Sequence, residues 1–286
     1  MSAAPLNVDC HSHSILSDGL LPPEEVAVKA HANGCAYWAL TDHDEVRGNV
    51  AARAAAEALG MRHINGVEIS VSWRPRPEAK ETTIHIVGLQ IDTANPALVA
   101  GLEATRAGRN ERAARMAFDL ARVGIPGALE GAKKYAVNPD LLSRSHFARF
   151  LVEAGKARDT NHVFSNYLVG GKPGYVTHEW ATLAQAVAWI RGAGGVAVVA
   201  HPGRCRFNNT ESAQFFSEFK DAGGQGVEVM TGSHTSEQYN HFAEIARCYG
   251  LLASRGSDYH GPGESRFEPG TLPNLPADLT PVWHDW

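Results

Sequence analysis

Short apolar, strand-like segments alternate with helix-like segments over much of this sequence, and polar residues stand at the ends of these strands. Alternation of this kind predicts a parallel sheet with helices packed outside it. The strands are predicted near residues 6–10, 36–40, 62–71, 83–91, 196–200, 226–230 and 251–254. Because the carboxyl ends of barrel strands meet on one face, polar side chains from distant parts of the chain are expected to converge there.

Residues 95–170 interrupt this pattern, because they read mainly as helix and contain few strand-like runs. We therefore expect residues 1–94 and 171–286 to form a barrel, and residues 95–170 to be a helical insertion domain that contributes to substrate binding. The length of 286 residues accommodates both parts. A stretch rich in Pro and Gly from Gly261 onward predicts an extended tail on the surface.

The bulk composition disfavours several classes of protein. Hydrophobic residues make up 44% and charged residues 20%, as in ordinary globular proteins. No apolar run of about 18 residues is present, so neither a membrane span nor membrane association is predicted, and a cytoplasmic location is expected. The net charge of −5 lacks the basic excess that non-specific nucleic-acid binding favours. The four cysteines show no disulfide or CxxC pattern, and no obligate protein partner is predicted.

Histidines and carboxylates occupy the predicted strand ends. The spacing of His11 and His13 at the end of the first strand puts both side chains on one face, where two imidazoles can chelate a metal ion. An isolated HxH pair is weak evidence for a metal site, since the same sequence occurs where one histidine is packed in the core and the other is solvated. Later strands or their exits supply His43, Glu68, His85, His201, Asp258 and His260. The joint pattern predicts a metal site at the barrel mouth.

The order of these motifs resembles that of the PHP (polymerase and histidinol phosphatase) family. The matching segments are DxHxHSxxSDG, LTDHD, NGVEIS, HIVGL, AHPGR and GSDYH. The resemblance spans nearly the whole chain and implies a distorted (β/α)7 barrel of the α/β class with two or three divalent metal ions at its mouth. The segments SRSHFAR, GKPGYVTHEW and GSH resemble a branch of the family that acts on nucleoside 3′,5′-bisphosphates.

The resemblance also implies how the ligands are shared among the ions. The three sets are His11, His13, Glu68 and Asp258 for the first ion, Glu68 as a bridge with His85 and His201 for the second, and Asp18, His43 and His260 for the third. Many relatives have His at the position of Asp18, and a carboxylate there favours Mn²⁺, Mg²⁺ or Fe²⁺ over Zn²⁺. We expect Mn²⁺, with Fe²⁺, Mg²⁺ and Zn²⁺ as alternatives.

Phosphate recognition requires fixed cations, and the fork of an arginine can bind two phosphate oxygens at once. We predict substrate contacts from Arg144, Lys172 and Arg204, with Ser143 and His146 as hydrogen-bonding partners. A substrate contact and an ordinary solvated side chain are equally good interpretations of Arg149. The arginines at every third position from Arg106 to Arg115 favour a salt-bridged helix surface, with a basic flank for RNA as the alternative.

His234 and His178 are the candidates for the general acid that protonates the departing ribose oxygen, because neither is implied as a metal ligand. His234 is also a candidate substrate contact. Surface positions or substrate contacts are the alternatives for both histidines.

The leading functional hypothesis is removal of the 3′-phosphate from nucleoside 3′,5′-bisphosphates, such as adenosine 3′,5′-bisphosphate, to give the 5′-monophosphate. In-line attack on phosphorus by a metal-activated hydroxide is expected, with no phosphorylated enzyme intermediate. One alternative is a 5′ to 3′ exoribonuclease acting on short 5′-phosphorylated RNA. Others are a histidinol phosphate phosphatase, against which SRSHFAR and GKPGYVTH argue, and a non-catalytic nucleotide-binding module, against which the full ligand set argues.

Overall fold

The computed structural model describes residues 6–286 and has one curved sheet at its centre. The strands are β1 (Val8–Asp9), β2 (Tyr37–Leu40), β3 (Arg62–Trp73), β4 (Thr82–Leu89), β5 (Ala181–Thr182), β6 (Val196–Val199), β7 (Gly226–Thr231) and β8 (Leu252–Gly256). The sheet order is β1-β2-β3-β4-β6-β7-β8, and the short β5 pairs with β3 outside this path. Cys10 N donates to the Arg255 carbonyl at 2.9 Å, which links the first strand to the last. The prediction of a distorted seven-stranded barrel is confirmed.

Strand β4 departs from the expected parallel arrangement. It pairs antiparallel with β3, from Gly66 opposite Leu89 to Trp73 opposite Thr82, and antiparallel with β6 as well. The expectation of a parallel sheet is therefore wrong at β4. The reason is that the loop of residues 74–81 contains no helix and is too short for a crossover, so β3 and β4 form a hairpin.

Helices surround the barrel and build the segment between β4 and β5. They are α1 (Pro23–Ala32), α2 (Gly48–Ala58), α3 (Pro96–Ala107), α4 (Arg109–Arg122), α5 (Ala128–Lys133), α6 (Arg144–Glu153), α7 (Thr160–Val163), α8 (Leu183–Gly192), α9 (Asn209–Asp221) and α10 (Ser236–Tyr249). A π-helical turn follows α7 at Phe164–Leu168, and a 3-10 turn follows β6 at Pro202–Arg204. Across residues 6–286, every helix is too short or too polar to traverse a lipid bilayer.

Separate apolar clusters support the barrel and the helical segment. Leu98 and Leu102 of α3 pack with the strands of the barrel. Met116 of α4 and Phe147 of α6 belong to a second cluster, formed by the helices from α4 to α7 and the turn that follows. Helix α3 thus packs on the barrel, whereas the later helices pack mainly on one another. The domain division at residues 95 and 170 stays a prediction.

The carboxy-terminal segment lies against β1 and β8. The buried guanidinium of Arg255 donates to the carbonyls of Gly270 and Leu272, and also to the Val8 carbonyl at 2.8 Å. Asp9 accepts a hydrogen bond from Gly270 N at 2.8 Å. This pair of buried, oppositely charged residues fixes the Pro- and Gly-rich tail to the two strands that close the sheet.

Candidate metal centre

Imidazole and carboxylate side chains from many parts of the chain converge at one end of the barrel. They form three groups, within each of which the ligand atoms lie within 4.8 Å of one another: His11, His13, Glu68 and Asp258; His43, Glu68 and His85; and His13, Asp18, His43 and His260. His201 joins the second group through Glu68, at 2.8 Å. The structure therefore brings together all nine residues that were predicted as ligands, and their roles as ligands stay a prediction.

Glu68 lies at the centre of these groups. Its Oε1 is 2.8 Å from His201 Nε2 and 2.9 Å from His85 Nδ1, whereas its Oε2 is 3.2 Å from His13 Nε2 and 3.0 Å from His43 Nδ1. Burial alone would raise the pKa of Glu68, but His43 and His85 hold that pKa well below its usual range. The carboxylate consequently stays ionised and presents one oxygen to each set of imidazoles.

Several buried polar atoms of the cluster have no hydrogen-bond partner among the described residues. They are His13 Nδ1, Asp18 Oδ1, His43 Nδ1, Glu68 Oε2 and Asp258 Oδ1. Buried polar atoms normally have a partner, so this concentration of unpaired atoms on residues of one cluster needs an explanation. Imidazole nitrogens with carboxylate oxygens suit divalent transition metals such as Mn²⁺, Fe²⁺ and Zn²⁺. The residues present therefore fit divalent metal ions.

Removal of divalent ions is expected to lower the thermal stability of the protein. A ligand that binds only the folded state stabilises it by about 2.7 kcal/mol when its free concentration is about 100 times Kd. Calorimetric unfolding with EDTA, and again after Mn²⁺ addition, should show a higher transition temperature with the ion. Asp258→Asn should reduce this difference, since it removes a charged oxygen from the cluster. Identical transitions for the wild type with EDTA and with Mn²⁺ would contradict the metal site.

Positive φ angles occur at two of the converging residues. His201 has a φ of 27° and Asp258 a φ of 54°. Such angles are uncommon for residues other than glycine and persist only where neighbouring groups hold them. Backbone hydrogen bonds supply that support, since His201 N donates to the Glu228 carboxylate and Asp258 N donates to the His11 carbonyl. The turns after β6 and β8 thereby direct both side chains into the cluster.

Helix α6 of the helical segment holds the loop that carries Asp18. Ser145 Oγ donates to Asp18 Oδ2 at 2.9 Å, while Asp18 Oδ1 lies 3.3 Å from His260 Nε2. Arg149 donates to the Asp18 carbonyl at 2.5 Å and to both carboxylate oxygens of Glu264. Arg149 is 5% exposed, which corrects the interpretation of this residue as a solvated side chain. It links the two loops that bear Asp18 and His260.

Ser145→Ala is expected to weaken metal binding at the group that contains Asp18 by about 10- to 100-fold, because a partner that orients a ligand typically contributes this much affinity. Calorimetric titration with Mn²⁺ should show one weakened binding step while the other binding steps stay unchanged. Ser165→Ala is a matched control, since Ser165 lies in the same helical segment and donates only to the Asn161 carbonyl. Equal affinities in Ser145→Ala and the wild type would contradict the prediction.

Two of the regularly spaced arginines are buried, so the expectation of a salt-bridged surface is wrong for them. Arg109 is 4% exposed and forms an ion pair with the Asp44 carboxylate. Arg112 is 6% exposed, donates to the Val176 carbonyl at 3.0 Å and lies over the Trp180 ring. The physical reason is that this side of α4 packs against the segment around residues 176–180, which covers it from solvent.

Arg112 of α4 and Arg144 of α6 define a region that is named the cationic recess after these two side chains. Neither has a carboxylate partner in the part of the chain that the structure describes. Burial and the positive charges around them lower the pKa of both side chains. Arg144 directly precedes Ser145, whose hydroxyl donates to Asp18 Oδ2 at 2.9 Å, so Arg144 starts from backbone that lies next to the cluster. Arg112 is buried over the Trp180 ring and Arg144 is partly buried over the Phe164 ring. Because neither cation has an ion-pair partner among the described residues, an anionic ligand would be favoured between them.

The other predicted substrate contacts occupy different surroundings. Arg204 is exposed, yet its guanidinium reaches the Asp258 carboxylate inside the cluster. Lys172 is exposed in the turn after the helical segment. Ser143 and His146 form the capping box of α6, in which Ser143 Oγ accepts from the backbone N of Ser145 and Ser143 N donates to His146 Nδ1. The polar atoms of this pair thus form the capping hydrogen bonds at the start of α6. Their contacts with substrate stay a prediction.

The two general-acid candidates also differ in their surroundings. The His234 ring is fully buried, lies 3.1 Å from the Val229 carbonyl through Nδ1, and accepts from Gly203 N through Nε2. Burial lowers the pKa of His234 to about 4, so its ring stays neutral with both nitrogens engaged. His178 is half-buried, and its ring packs edge-on against Trp180. Burial and the charges of Arg112 and Arg109 lower the pKa of His178 as well, and the roles of both histidines as general acids stay predictions.

Glu228 is a residue that the sequence reasoning missed. It lies in the apolar strand β7, is 1% exposed, and its Oε1 is 2.7 Å from His11 Nδ1. The glutamate in the apolar run GVEVM could have indicated a buried carboxylate with a functional partner, because carboxylates are rarely buried unless they are paired. Its partner comes from the opposite end of the chain and could not be recognised from local sequence.

Comparison with known proteins identifies relatives that match almost the full chain. The family model described as PHP domain matches residues 9–231. A 3′,5′-nucleoside bisphosphate phosphatase from Chromobacterium violaceum is 48% identical, with 98% of this chain and 96% of the relative covered. A 5′-3′ exoribonuclease from Haemophilus influenzae is 38% identical, with 96% and 97% covered.

Solved structures agree with these matches. An amidohydrolase from Chromobacterium violaceum, solved with bound sulfate and no metal, superimposes with a TM-score of 0.92 at 49% identity and covers 97% of this chain and 94% of its own. A putative metal-dependent phosphoesterase from Bifidobacterium adolescentis gives a TM-score of 0.81 at 25% identity, with 98% and 94% covered. The fold of nearly the whole chain thus occurs in both of these solved structures.

Proposed function

The chain belongs to the PHP domain family, and on that premise we propose that it removes the 3′-phosphate from nucleoside 3′,5′-bisphosphates and releases the 5′-monophosphate. The observation that carries this proposal is the pair Arg112 and Arg144, which have no ion-pair partner among the described residues, with Arg144 next to the serine that donates to Asp18. A substrate with two phosphates needs such a second anion site. The phosphoric monoester hydrolase from Chromobacterium violaceum supports the same assignment at 48% identity.

Two or three divalent ions, with Mn²⁺ expected, would be held by the three ligand groups described above. Bound there, such ions lower the pKa of water, polarise phosphoryl oxygens and offset charge on the leaving group. The protein side chains around them hold and orient the phosphate to be cleaved. Arg204 is suited to this role, since its guanidinium already lies at the Asp258 carboxylate and can donate to phosphoryl oxygens at the mouth.

The 5′-phosphate would lie in the recess, bound by Arg112 and Arg144, with the exposed Lys172 as a further candidate cation. This anchor fixes the nucleoside so that its 3′-phosphate faces the ligand cluster. Burial and the charge of Arg112 lower the pKa of His178, which disfavours its protonated form in the free enzyme. A phosphate in the recess would offset the positive charge and raise that pKa, so His178 is our candidate for protonating the departing ribose oxygen.

Exonuclease activity on short 5′-phosphorylated RNA is the second candidate function. The relative from Haemophilus influenzae and one from Escherichia coli, at 38% and 39% identity, are both named 5′-3′ exoribonucleases. An anchor for a 5′-phosphate next to a hydrolytic centre serves either substrate, because in both cases the bond to be cleaved lies on the 3′ side of the anchored nucleotide.

The test compares the two substrates at equal concentrations with Mn²⁺-loaded protein. Adenosine 3′,5′-bisphosphate should release inorganic phosphate and yield adenosine 5′-monophosphate, followed by chromatography. A 5′-phosphorylated pentaribonucleotide should yield mononucleotides more slowly if the bisphosphate is the preferred substrate. Absence of phosphate release from the bisphosphate, with rapid degradation of the oligonucleotide, would replace the lead assignment by the second.

A further inference from the structure

Glu228 touches the metal centre without belonging to any of its three ligand groups. Its Oε1 lies 2.7 Å from His11 Nδ1, and its Oε2 accepts a hydrogen bond from the backbone N of His201 at 2.5 Å. His11 and His201 are assigned to different ions. Within residues 6–286, His11 is the one basic side chain that forms an ion pair with Glu228. A buried carboxylate in this position therefore requires an explanation that involves these two histidines.

The contact with His11 determines which nitrogen of that ring faces the other ligands. His11 Nε2 lies 3.3 Å from Glu68 Oε2 and 3.5 Å from Asp258 Oδ1, whereas Nδ1 points to Glu228. A carboxylate that accepts from Nδ1–H fixes the tautomer in which the lone pair is on Nε2. That lone pair is the one needed to coordinate an ion among Glu68, Asp258 and His13.

The second contact of Glu228 is with the backbone N–H of His201, and not with its imidazole ring. His201 has the positive φ of 27°, which is unfavourable for a residue with a side chain, and its N–H is held by the second oxygen of Glu228. In this conformation His201 Nε2 reaches Glu68 Oε1 at 2.8 Å. The packing leaves no spare room, since a Cβ at Gly256 would lie 2.3 Å from His11 Cβ and 3.0 Å from Glu228 Oε1.

We infer that Glu228 is a positioning residue, which fixes the Nδ1–H tautomer of His11 and the turn at His201 so that the first two metal ions are bound together. This inference rests on the proposed function through its assignment of His11 and His201 as ligands. Each oxygen of Glu228 serves one ligand, so a single side chain makes the geometry of the two sites interdependent. The site of the third ion, at Asp18, His43 and His260, has no contact with Glu228.

Glu228→Gln tests the inference, because an amide keeps the shape of the side chain but has one oxygen and one NH₂ group. The amide oxygen can accept a hydrogen bond from either His11 Nδ1–H or His201 N–H. The NH₂ group then faces the remaining N–H, and two donors cannot bond to each other. We expect the affinity for the first two ions to fall about 10- to 100-fold, with the third unchanged. Calorimetric Mn²⁺ titration without nucleotide measures this, and ¹⁵N NMR of the Zn²⁺-loaded protein reports the tautomer of His11, which should become mixed.

Glu218→Gln is the matched control, since Glu218 lies on α9 and accepts from Trp73 Nε1 at 2.6 Å, on a helix that contributes no ligand. If circular dichroism shows that Glu228→Gln does not fold, Glu228→Asp takes its place. Aspartate keeps the charge but has a shorter side chain, so the expected loss of affinity for the first two ions is smaller. Wild-type affinity in a folded variant, or equal weakening of all three ions, overturns the inference. Failure of the proposed function would show separately, as wild-type protein that binds its ions but does not hydrolyse the bisphosphate.

Discussion

Glu68→Gln is expected to lower the rate of phosphate release from adenosine 3′,5′-bisphosphate by about a thousandfold or more. Glu68 lies within 3.3 Å of ring nitrogens of His11, His13, His43, His85 and His201. The neutral amide would replace one charged oxygen with an NH₂ group, which has no lone pair available to bind an ion, and would remove the charge shared by the ligand groups. Loss of a few kcal/mol of transition-state stabilisation corresponds to about this factor.

The measurement is single-turnover hydrolysis at saturating Mn²⁺, with the metal content of each protein determined in parallel. Glu218→Gln is again the control, because it makes the same chemical change on the outside of the barrel and should retain wild-type rates. Asp258→Asn should behave like Glu68→Gln, since Asp258 shares the first ligand group with it. Wild-type turnover in a metal-loaded Glu68→Gln protein would contradict the catalytic role of the cluster.

Arg144→Met is expected to change substrate preference instead of abolishing hydrolysis. If Arg144 binds the 5′-phosphate, the variant should lose about 10- to 100-fold in kcat/KM for adenosine 3′,5′-bisphosphate, as expected for about 1.5–3 kcal/mol from a charged hydrogen bond. Adenosine 3′-monophosphate has no 5′-phosphate, so its kcat/KM should stay nearly unchanged. The ratio of the two values, measured by phosphate release, isolates the recess from the metal centre.

The control for this pair of assays is Arg158→Met. Arg158 lies on the same helical segment, is exposed and pairs with Asp159, so its loss should leave both substrates unaffected. An equal loss for both substrates in Arg144→Met would mean that Arg144 supports the metal centre or the fold. No loss for the bisphosphate would mean that the 5′-phosphate lies elsewhere.

The parts of the site that could be predicted from sequence are those fixed by local geometry. The alternation of side chains along a strand put His11 and His13 on one face, and the strand order collected the other ligands at one end of the barrel. The direction of β4 could not be read in the same way, because it depends on a loop without a helix and on pairing with distant strands. Periodicity also predicted that Arg109 lies on an exposed helix surface. Arg109 is buried instead, because it pairs with Asp44, which is 65 positions away in the sequence.

Residues that orient the ligands were harder to recognise than the ligands. Ser145, Arg149 and Glu228 contact the centre through hydrogen bonds to residues more than a hundred positions away. No spacing rule predicts such partners, since they follow from the three-dimensional packing of separate segments. The burial of Glu228 in an apolar strand was the one local indication.

The closure of the sheet between β1 and β8 has a consequence for the synthesis of the protein. His11 leaves the ribosome long before Asp258 and the Gly270 amide that binds Asp9, because more than two hundred positions of the chain separate them. Contacts between such distant positions form late. During translation His11 and His13 are therefore present before the Asp258 carboxylate with which they would share an ion. The nascent chain should acquire its full metal-binding capacity only after the last strand and tail have docked.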